Sequence, residues 1–366
     1  MKNRNTLFIL PGNPAPIGGF KLLYEHGRIL KKAGIYVNFI HINGGLNLDI
    51  SGDNSLLYRL LIVLKFFYST HFGKWRNYVK DQFELPSCSR QILHQKDIDQ
   101  ADVICIASWQ LLNHITDNYN LSLVKVIHPV MDYPGYMGPK DNILESWSKS
   151  VKYLCISDYL YNSFIDYRQD ASVSKIGCML TGMDNSSIVK LPIDQKNTKR
   201  GILLSYSTGK YKNAKGTLKL VNTIVSIFPK EEVIVFGRPK RPVSLHNTVQ
   251  YVQNPTDSQV NDLYNFSSLF IFFSDFEGFG LMPLEAMLYN TPVICTDCFG
   301  NRDYIVDRLN SLIVSPGDIL GVVSRVKNIF EDEVLREGLI KNGFKTAELY
   351  LPMHHEAIIL DEYINV

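Results

Sequence analysis

The sequence predicts an α/β protein built of two parallel-sheet domains. Three observations carry that expectation. Strand-length apolar runs alternate with helical patterns through both halves of the chain. The composition turns polar from Leu191 to Arg200, with Pro192 among them, and the alternation then starts over. In each half, glycine-containing loops join an apolar run to the helical pattern that follows it. A chain of 366 residues is long enough for two domains with substantial cores.

The bulk numbers narrow the class. Hydrophobic residues at 45% and charged residues at 20% are those of a soluble globular protein. A net charge of +2 gives no strong pull toward nucleic acid. The six cysteines are scattered, and four lie in or beside apolar runs, as buried thiols do. With no secretory n-region and h-region at the start, the expected setting is reduced and cytoplasmic.

In the first half, Thr6–Leu10 reads as the first strand, broken by Pro11-Gly12-Asn13-Pro14. Gly18-Gly19 then opens a helix carrying Leu22, Leu23, His26, Ile29 and Leu30, and Tyr36–Ile40 is the next strand. Paired glycines ahead of a helix allow backbone N–H groups close to a phosphate, although a plain turn has the same appearance. No apolar run is long enough to span a bilayer. The nearest, Leu56–Phe72, is interrupted by Arg59 and Lys65 and followed by Lys74, Trp75 and Arg76. It reads either as a core helix with snorkelling cations or as a helix lying in a membrane interface. Asp97-Ile98-Asp99 has the spacing of a metal-holding triplet but sits in a polar run, and is read as a solvated loop.

Val103–Ala107 and Leu123–Ile127 are further strands. The second is closed by His128-Pro129, since proline cannot donate to a sheet ladder. Ligands in open α/β sheets bind beyond the C-terminal strand ends, which draws in His128 and Asp132 in the following loop. Tyr153–Ser157 and Lys175–Leu180 complete the half, the latter ending in Thr181-Gly182-Met183-Asp184.

The second half opens with strand Gly201–Tyr206, a loop with Lys210 and Lys215, and a helix through Leu218, Val221 and Ile224. Cations beside a helix start suit a diphosphate. Strands follow at Glu232–Gly237, Val249–Val252 and Leu269–Phe273, with Asp262-Leu263-Tyr264 in a short helix. Next comes Ser274-Asp275-Phe276-Glu277-Gly278-Phe279-Gly280-Leu281-Met282-Pro283-Leu284-Glu285, read as a loop running into a helix. Pro283 suits a first helical turn, where Glu285 is also placed. Two carboxylates beside an anion-binding helix start suit a ligand with both hydroxyls and phosphates, and a nucleotide sugar is such a ligand. Pro292–Thr296 and Leu312–Val314 are strands, Phe299–Asp303 is a turn, and the rest is mainly helical. Cys295-Thr296-Asp297-Cys298 has no second pair or nearby histidine, so it reads as strand-end residues and not as a zinc or redox site.

These residues resemble the retaining glycosyltransferases of family 4. The likeness rests on Glu277-Gly278-Phe279-Gly280-Leu281 with Glu285, the family's Glu-x7-Glu block. Around it lie Gly18-Gly19, Ser157, Thr181-Gly182-Met183-Asp184, and Lys210 with Lys215-Gly216 in place of Arg-x4-Lys-Gly. The resemblance implies a GT-B architecture: two Rossmann-like domains facing across a cleft, residues 1–190 on the acceptor side and 198–349 on the donor side, with a helix of about 350–366 returning to the first. It implies retaining sugar transfer from a nucleotide-sugar donor to a hydroxyl acceptor, in bacterial-type surface polysaccharide or glycoconjugate assembly. In it Glu285 would hold the ribose hydroxyls and Glu277 the donor sugar. Lys210, Lys215 and the N–H groups of Phe279, Gly280 and Leu281 would neutralise the diphosphate without a metal, and no cofactor is expected. The family's His-Asp pair is replaced by His128-Pro129, with Asp132 displaced along the loop. Lysine at 210 lacks the bidentate fork of arginine. Alternative activities on the same fold are a nucleotide-sugar epimerase, a phosphorylase, or an inactive donor-binding subunit.

Overall fold

The computed structural model describes residues 4–43, 75–136, 138–181 and 201–365. The stretch from 56 to 74, Gly182-Met183-Asp184 and the polar segment 191–200 lie outside the described residues. The chain divides into two compact units, Met1–Gly182 with Pro352–Val366, and Met183–Leu351.

In the first unit the described strands are β1 (Asn5–Pro11), β2 (Tyr36–Ile42), β3 (Ser87–Arg90), β4 (Val103–Ile106), β5 (Lys125–Val130), β6 (Lys152–Cys155) and β7 (Val173–Lys175). They form one parallel sheet in the order β3-β2-β1-β4-β5-β6-β7. Between them run α1 (Gly18–Lys32), α2 (Tyr78–Phe83), α3 (Gln95–Asp99), α4 (Trp109–Asn118), α5 (Lys140–Trp147) and α6 (Asp158–Tyr167). Strands buried on both faces need apolar residues at every position, not at alternate ones, and β4 is buried throughout. Edge strand β3, Ser-Cys-Ser-Arg, is polar and half-buried, so no apolar run marks it in the sequence.

Three expectations differ from the structure, the first being the strand expected over Lys175–Leu180, which is Val173–Lys175 and ends where it was expected to begin. Asp97-Ile98-Asp99 is helical: Asp97 accepts from the His94 N–H at 3.1 Å and from Arg90 at 2.6 Å, and Asp99 accepts from Gln95. The strand expected to stop before His128-Pro129 runs through both residues to Val130. Pairing with β4 ends at Ile127, while pairing with β6 continues from Ile127 to Val130. Pro129 therefore lies where one side of the strand has become an edge, a position that tolerates a missing N–H.

The second unit contains β8 (Ile202–Tyr206), β9 (Val233–Gly237), β10 (Gln250–Gln253), β11 (Leu269–Phe272), β12 (Val293–Thr296) and β13 (Leu312–Val314), all parallel in the order β10-β9-β8-β11-β12-β13. The helices are α7 (Ala214–Ile227), α8 (Asp257–Phe266), α9 (Leu281–Leu288), α10 (Ile319–Glu331) and α11 (Glu333–Glu348). Ile202, Leu204, Val235, Ile271 and Ile294 from the sheet pack with Leu220, Ile224, Val322 and Val326 from the helices in one core. The last helix, α12 (Glu356–Ile364), belongs to the first unit. Its Ile359 and Tyr363 are fully buried, each contributing roughly 1.5–3 kcal/mol. Tyr363 packs against Phe8 and reaches His26 and Cys105 with its hydroxyl.

Candidate functional site

In the second unit, strand order reverses direction between β8 and β11, the topological switch point where open sheets bind ligands. The loops after those two strands carry Lys212 and Glu277. The first is a 3-10 turn, Lys210–Lys212, ended by Asn213 in the left-handed region at φ 52°. Asn213 caps α7 by accepting from the Gly216 N–H at 3.2 Å, and donates to Asp275 at 2.8 Å. The Tyr211 carbonyl accepts from the N–H groups of Asp275 and Phe276 at 3.0 and 3.2 Å. The two loops are thereby clamped together, and Lys212 Nζ meets both carboxylate oxygens of Glu277 at 2.5 Å.

Glu277 is buried and the Lys212 side chain is 29% exposed. Burial alone would lower the Lys212 pKa, but the Glu277 charge and hydrogen bonds outweigh it and the ammonium is held above its ordinary value. The other side of the Glu277 loop is held by β12's exit. The Glu277 N–H donates to the Cys298 carbonyl at 3.0 Å, and the Gly300 N–H donates to the Glu277 carbonyl at 3.2 Å. Gly300 is obligatory there, because a Cβ would lie 2.3 Å from the Gly278 carbonyl oxygen. Cys295 and Cys298 are buried free thiols whose pKa values burial raises. Among the described residues no cluster of acids, histidines and cysteines has the makings of a metal site.

Gly280, at φ 83°, turns the chain into α9, which starts at Leu281. The helix thus begins two residues before Pro283, and Glu285 lies in its second turn, not in the first as expected. Glu285 owes nothing to the attraction of a first-turn acid for the helix dipole. It is half-buried and accepts from the Tyr264 hydroxyl at 3.1 Å. Phe279 is buried against Tyr304 and Tyr350, and the Tyr304 hydroxyl donates to the Gly280 carbonyl. The N–H groups at the head of α9, from Leu281 on, have no partner within their own helix.

The structure brings together Glu277, Phe279, Gly280, Leu281 and Glu285. Lys215 is exposed on α7 and lines a groove with Lys219, Asn222 and Ser226. Lys212, which the sequence reading did not single out, is the cation on Glu277. Nothing local separates it from Lys210 and Lys215; the distinction comes from Asn213, whose partner Asp275 is 62 positions away. Tyr264 and Tyr304 were missed for the same reason.

In the first unit, Gly18 and Gly19 form the start of α1, and a Cβ on Gly19 would lie 3.1 Å from the Met131 sulfur. The head of α1 therefore abuts the loop after β5. His128 is buried, and its Nδ1 donates to the Ile106 carbonyl at 2.7 Å, which closes the end of β4. That bond leaves Nε2 as the acceptor of the neutral ring. Burial, only partly offset by this hydrogen bond, drops the His128 pKa to about 4. Burial also pushes the half-buried Asp132 carboxyl up to about 6.

The sequence from residue 190 to 346 matches the family model described as glycosyl transferases group 1. The chain is similar to the capsular polysaccharide biosynthesis glycosyltransferase CapM of Staphylococcus aureus, 32% identical over 27% of this chain and 25% of that one. It is 23% identical, over 54% of its own length, to the lipopolysaccharide core biosynthesis mannosyltransferase LpsB of Rhizobium meliloti. The aligned part spans 66% of LpsB and a quarter of CapM. The crystal structure of Anabaena HepE in complex with UDP and glucose aligns over 99% of this chain and 100% of its own, with TM-score 0.75 and 13% identity. Sucrose-phosphate synthase from Thermosynechococcus elongatus aligns over 99% and 98%, with TM-score 0.69 and 14% identity. The fold is GT-B, two α/β units each with a parallel sheet.

Proposed function

We propose that this chain is a retaining glycosyltransferase of family 4, moving a sugar from a nucleotide-sugar donor to a hydroxyl acceptor in assembly of a bacterial surface polysaccharide or glycoconjugate. One observation carries the reading. The Lys212–Glu277 pair lies at the switch point of the second sheet, at the head of α9 with Glu285 eight residues on, inside the stretch that matches glycosyl transferases group 1. The names of the bacterial relatives, and the UDP and glucose in the HepE complex, support the same donor class.

In this reading Glu285, oriented by Tyr264, takes the ribose hydroxyls, and Glu277 takes the donor sugar. Lys212 meets Glu277 directly, and it shares the leaving diphosphate with Lys210, Lys215 and the N–H groups of Phe279, Gly280 and Leu281. Preorganised positive charge aimed at a departing diphosphate is an effective form of transition-state stabilisation. Because protein groups supply that charge, transfer runs without a metal, and EDTA leaves the rate unchanged. With Glu277, His128 (Nε2 facing away from its backbone bond) and Asp132 are assigned catalytic roles, and the Gly18-Gly19 helix start is assigned to donor binding through its N–H groups. The reading places the chain in the cytoplasm, with peripheral membrane contact through residues 56–75. Absence of co-sedimentation with anionic vesicles would remove that contact.

A thermal-shift screen of nucleoside diphosphates and their sugars tests the donor assignment. A true ligand at about 100 times its Kd stabilises the fold by about 2.7 kcal/mol. The matching donor should then give a glycoside of unchanged anomeric configuration, with only slow nucleotide release when no acceptor is present. Rapid conversion of the donor sugar without acceptor would point to an epimerase instead. If no nucleotide shifts the transition, the donor assignment fails.

A further inference from the structure

A cluster of three tyrosines lies next to Asp132, outside the donor site. Tyr133 and Tyr136 flank the Pro134-Gly135 turn after β5, and Tyr159 is the second residue of α6, after β6. The turn is closed by the Tyr136 N–H donating to the Tyr133 carbonyl at 3.2 Å, and by the Gly135 N–H donating to the Gly138 carbonyl at 3.1 Å. Gly135, at φ 85°, permits it. The ring of Tyr133 lies 5.8 Å from that of Tyr136 and 5.1 Å from that of Tyr159. Tyr133 and Tyr159 share a hydrogen bond between their hydroxyls. Tyr136 is 47% exposed, and the other two are half-buried.

Adjacent parallel strands β5 and β6 present this cluster at their C-terminal ends, the side on which open sheets take ligands. A loop that leaves aromatic area in water gains nothing from it in folding. Aromatic rings with polar rims match a ligand with an apolar C–H face and hydroxyls around its edge, and a pyranose ring has that surface. We propose that Tyr133, Tyr136 and Tyr159 form a stacking platform for a pyranose unit of the acceptor, so that the hydroxyl transferred to belongs to a carbohydrate chain and not to an acyclic polyol phosphate. The proposal rests on the glycosyltransferase reading and specifies the acceptor in it. The neighbouring Asp132 carboxyl offers an acceptor oxygen for a sugar hydroxyl at the platform's edge.

Saturation-transfer NMR on the full chain tests it, with methyl pyranosides of glucose, galactose, mannose and N-acetylglucosamine as probes and glycerol 3-phosphate as the acyclic control. At least one pyranoside should receive saturation, strongest at the ring C–H protons of one face. Tyr136→Ala and Tyr133→Ala should each weaken that binding roughly 3–10-fold, the range expected of one aromatic contact. Tyr136→Phe and Tyr133→Phe should restore it, since they keep the ring, and a ring needed only for the turn would show no such dependence. The thermal shift with nucleoside diphosphates, run on the same variants, reports the donor site separately and should be unchanged. Pyranoside signals that are absent, or indifferent to both alanine variants, would overturn the platform while leaving the donor assignment standing. So would glycerol 3-phosphate binding in preference to every pyranoside.

Discussion

At the scale of single residues, the pair Lys212–Glu277 and the two titrating groups after β5 make the sharpest demands. Glu277 is nearly buried, so removing one partner strands a charge in a poorly hydrated place, whereas removing both does not. A double-mutant cycle of Lys212→Met and Glu277→Gln, read by urea unfolding, is expected to give a coupling of roughly 1–3 kcal/mol. Either single variant should lose transfer while remaining folded. Wild-type turnover in Glu277→Gln would remove Glu277 from the chemistry. Asp132 and His128 respond to pH with opposite signs. The folded-state pKa of Asp132, about 6, lies above its unfolded value. Its stabilising contribution is therefore complete at low pH and is lost as pH rises from about 4 through 6. His128, held at about 4, contributes stability that is complete above its ordinary pKa and is lost as pH falls toward 4. Asp132→Asn should gain stability relative to wild type between pH 4 and pH 7. An unaltered pH dependence of unfolding in this variant would show that the carboxyl is not raised. Local spacing made Glu277 and Glu285 legible, because both lie in one loop and helix. It could not choose among Lys210, Lys212 and Lys215, since the contact that decides spans distant parts of the chain.

At the scale of elements, the strands were legible because a doubly covered parallel sheet demands unbroken apolar runs, as in Val103–Ile106 and Leu269–Phe272. The polar edge strand Ser87–Arg90 escaped because it needs no such run. Proline at 129 misled because it stops a central strand but not one whose neighbour has already ended. The start of α9 was misplaced because Pro283 outweighed Gly280, whose left-handed backbone sets the entry. Glycine's role in the same site yields a test. At Gly280 a Cβ would meet only ordinary contacts, the nearest 3.5 Å away, so Gly280→Ala suffers backbone strain alone, about 1–2 kcal/mol. At Gly300 a Cβ would strike the Gly278 carbonyl and the Phe279 nitrogen, which side-chain rotation cannot relieve. Gly300→Ala should therefore displace the Glu277 loop and abolish nucleotide binding, with a larger stability loss than Gly280→Ala. Nucleotide-induced thermal shifts on the two variants check the order. Intact binding in Gly300→Ala would mean that the β12 exit does not hold the Glu277 loop.

At the scale of the whole molecule, the chain returns at its end to the unit in which it began. The return is fixed by chemistry at several points on α12. Tyr363 enters the core against Phe8, its hydroxyl reaches His26 and Cys105, the Glu362 carboxylate is ion-paired with the Lys152 ammonium at 2.6 Å, and Arg4 donates to the Ile364 carbonyl. His26 is fully buried, and desolvation drives its pKa to about 3, so the ring is neutral at any ordinary pH and its Nδ1 depends on Tyr363. Tyr363→Ala removes a large ring from a closed core and leaves that nitrogen without its partner. The expected loss is roughly 3–5 kcal/mol, by analogy with Phe→Ala in cores. The second unit has its own core through Ile202, Leu204, Ile271 and Ile294, which does not include Tyr363. The loss should accordingly be local. In hydrogen exchange on Tyr363→Ala, the amides of Phe8, Phe39 and Cys105 should lose protection while those of Leu204, Ile271 and Ile294 keep it. Equal loss in both sets would show that the two units unfold as one, and that the final helix stabilises the entire chain and not only the unit it completes.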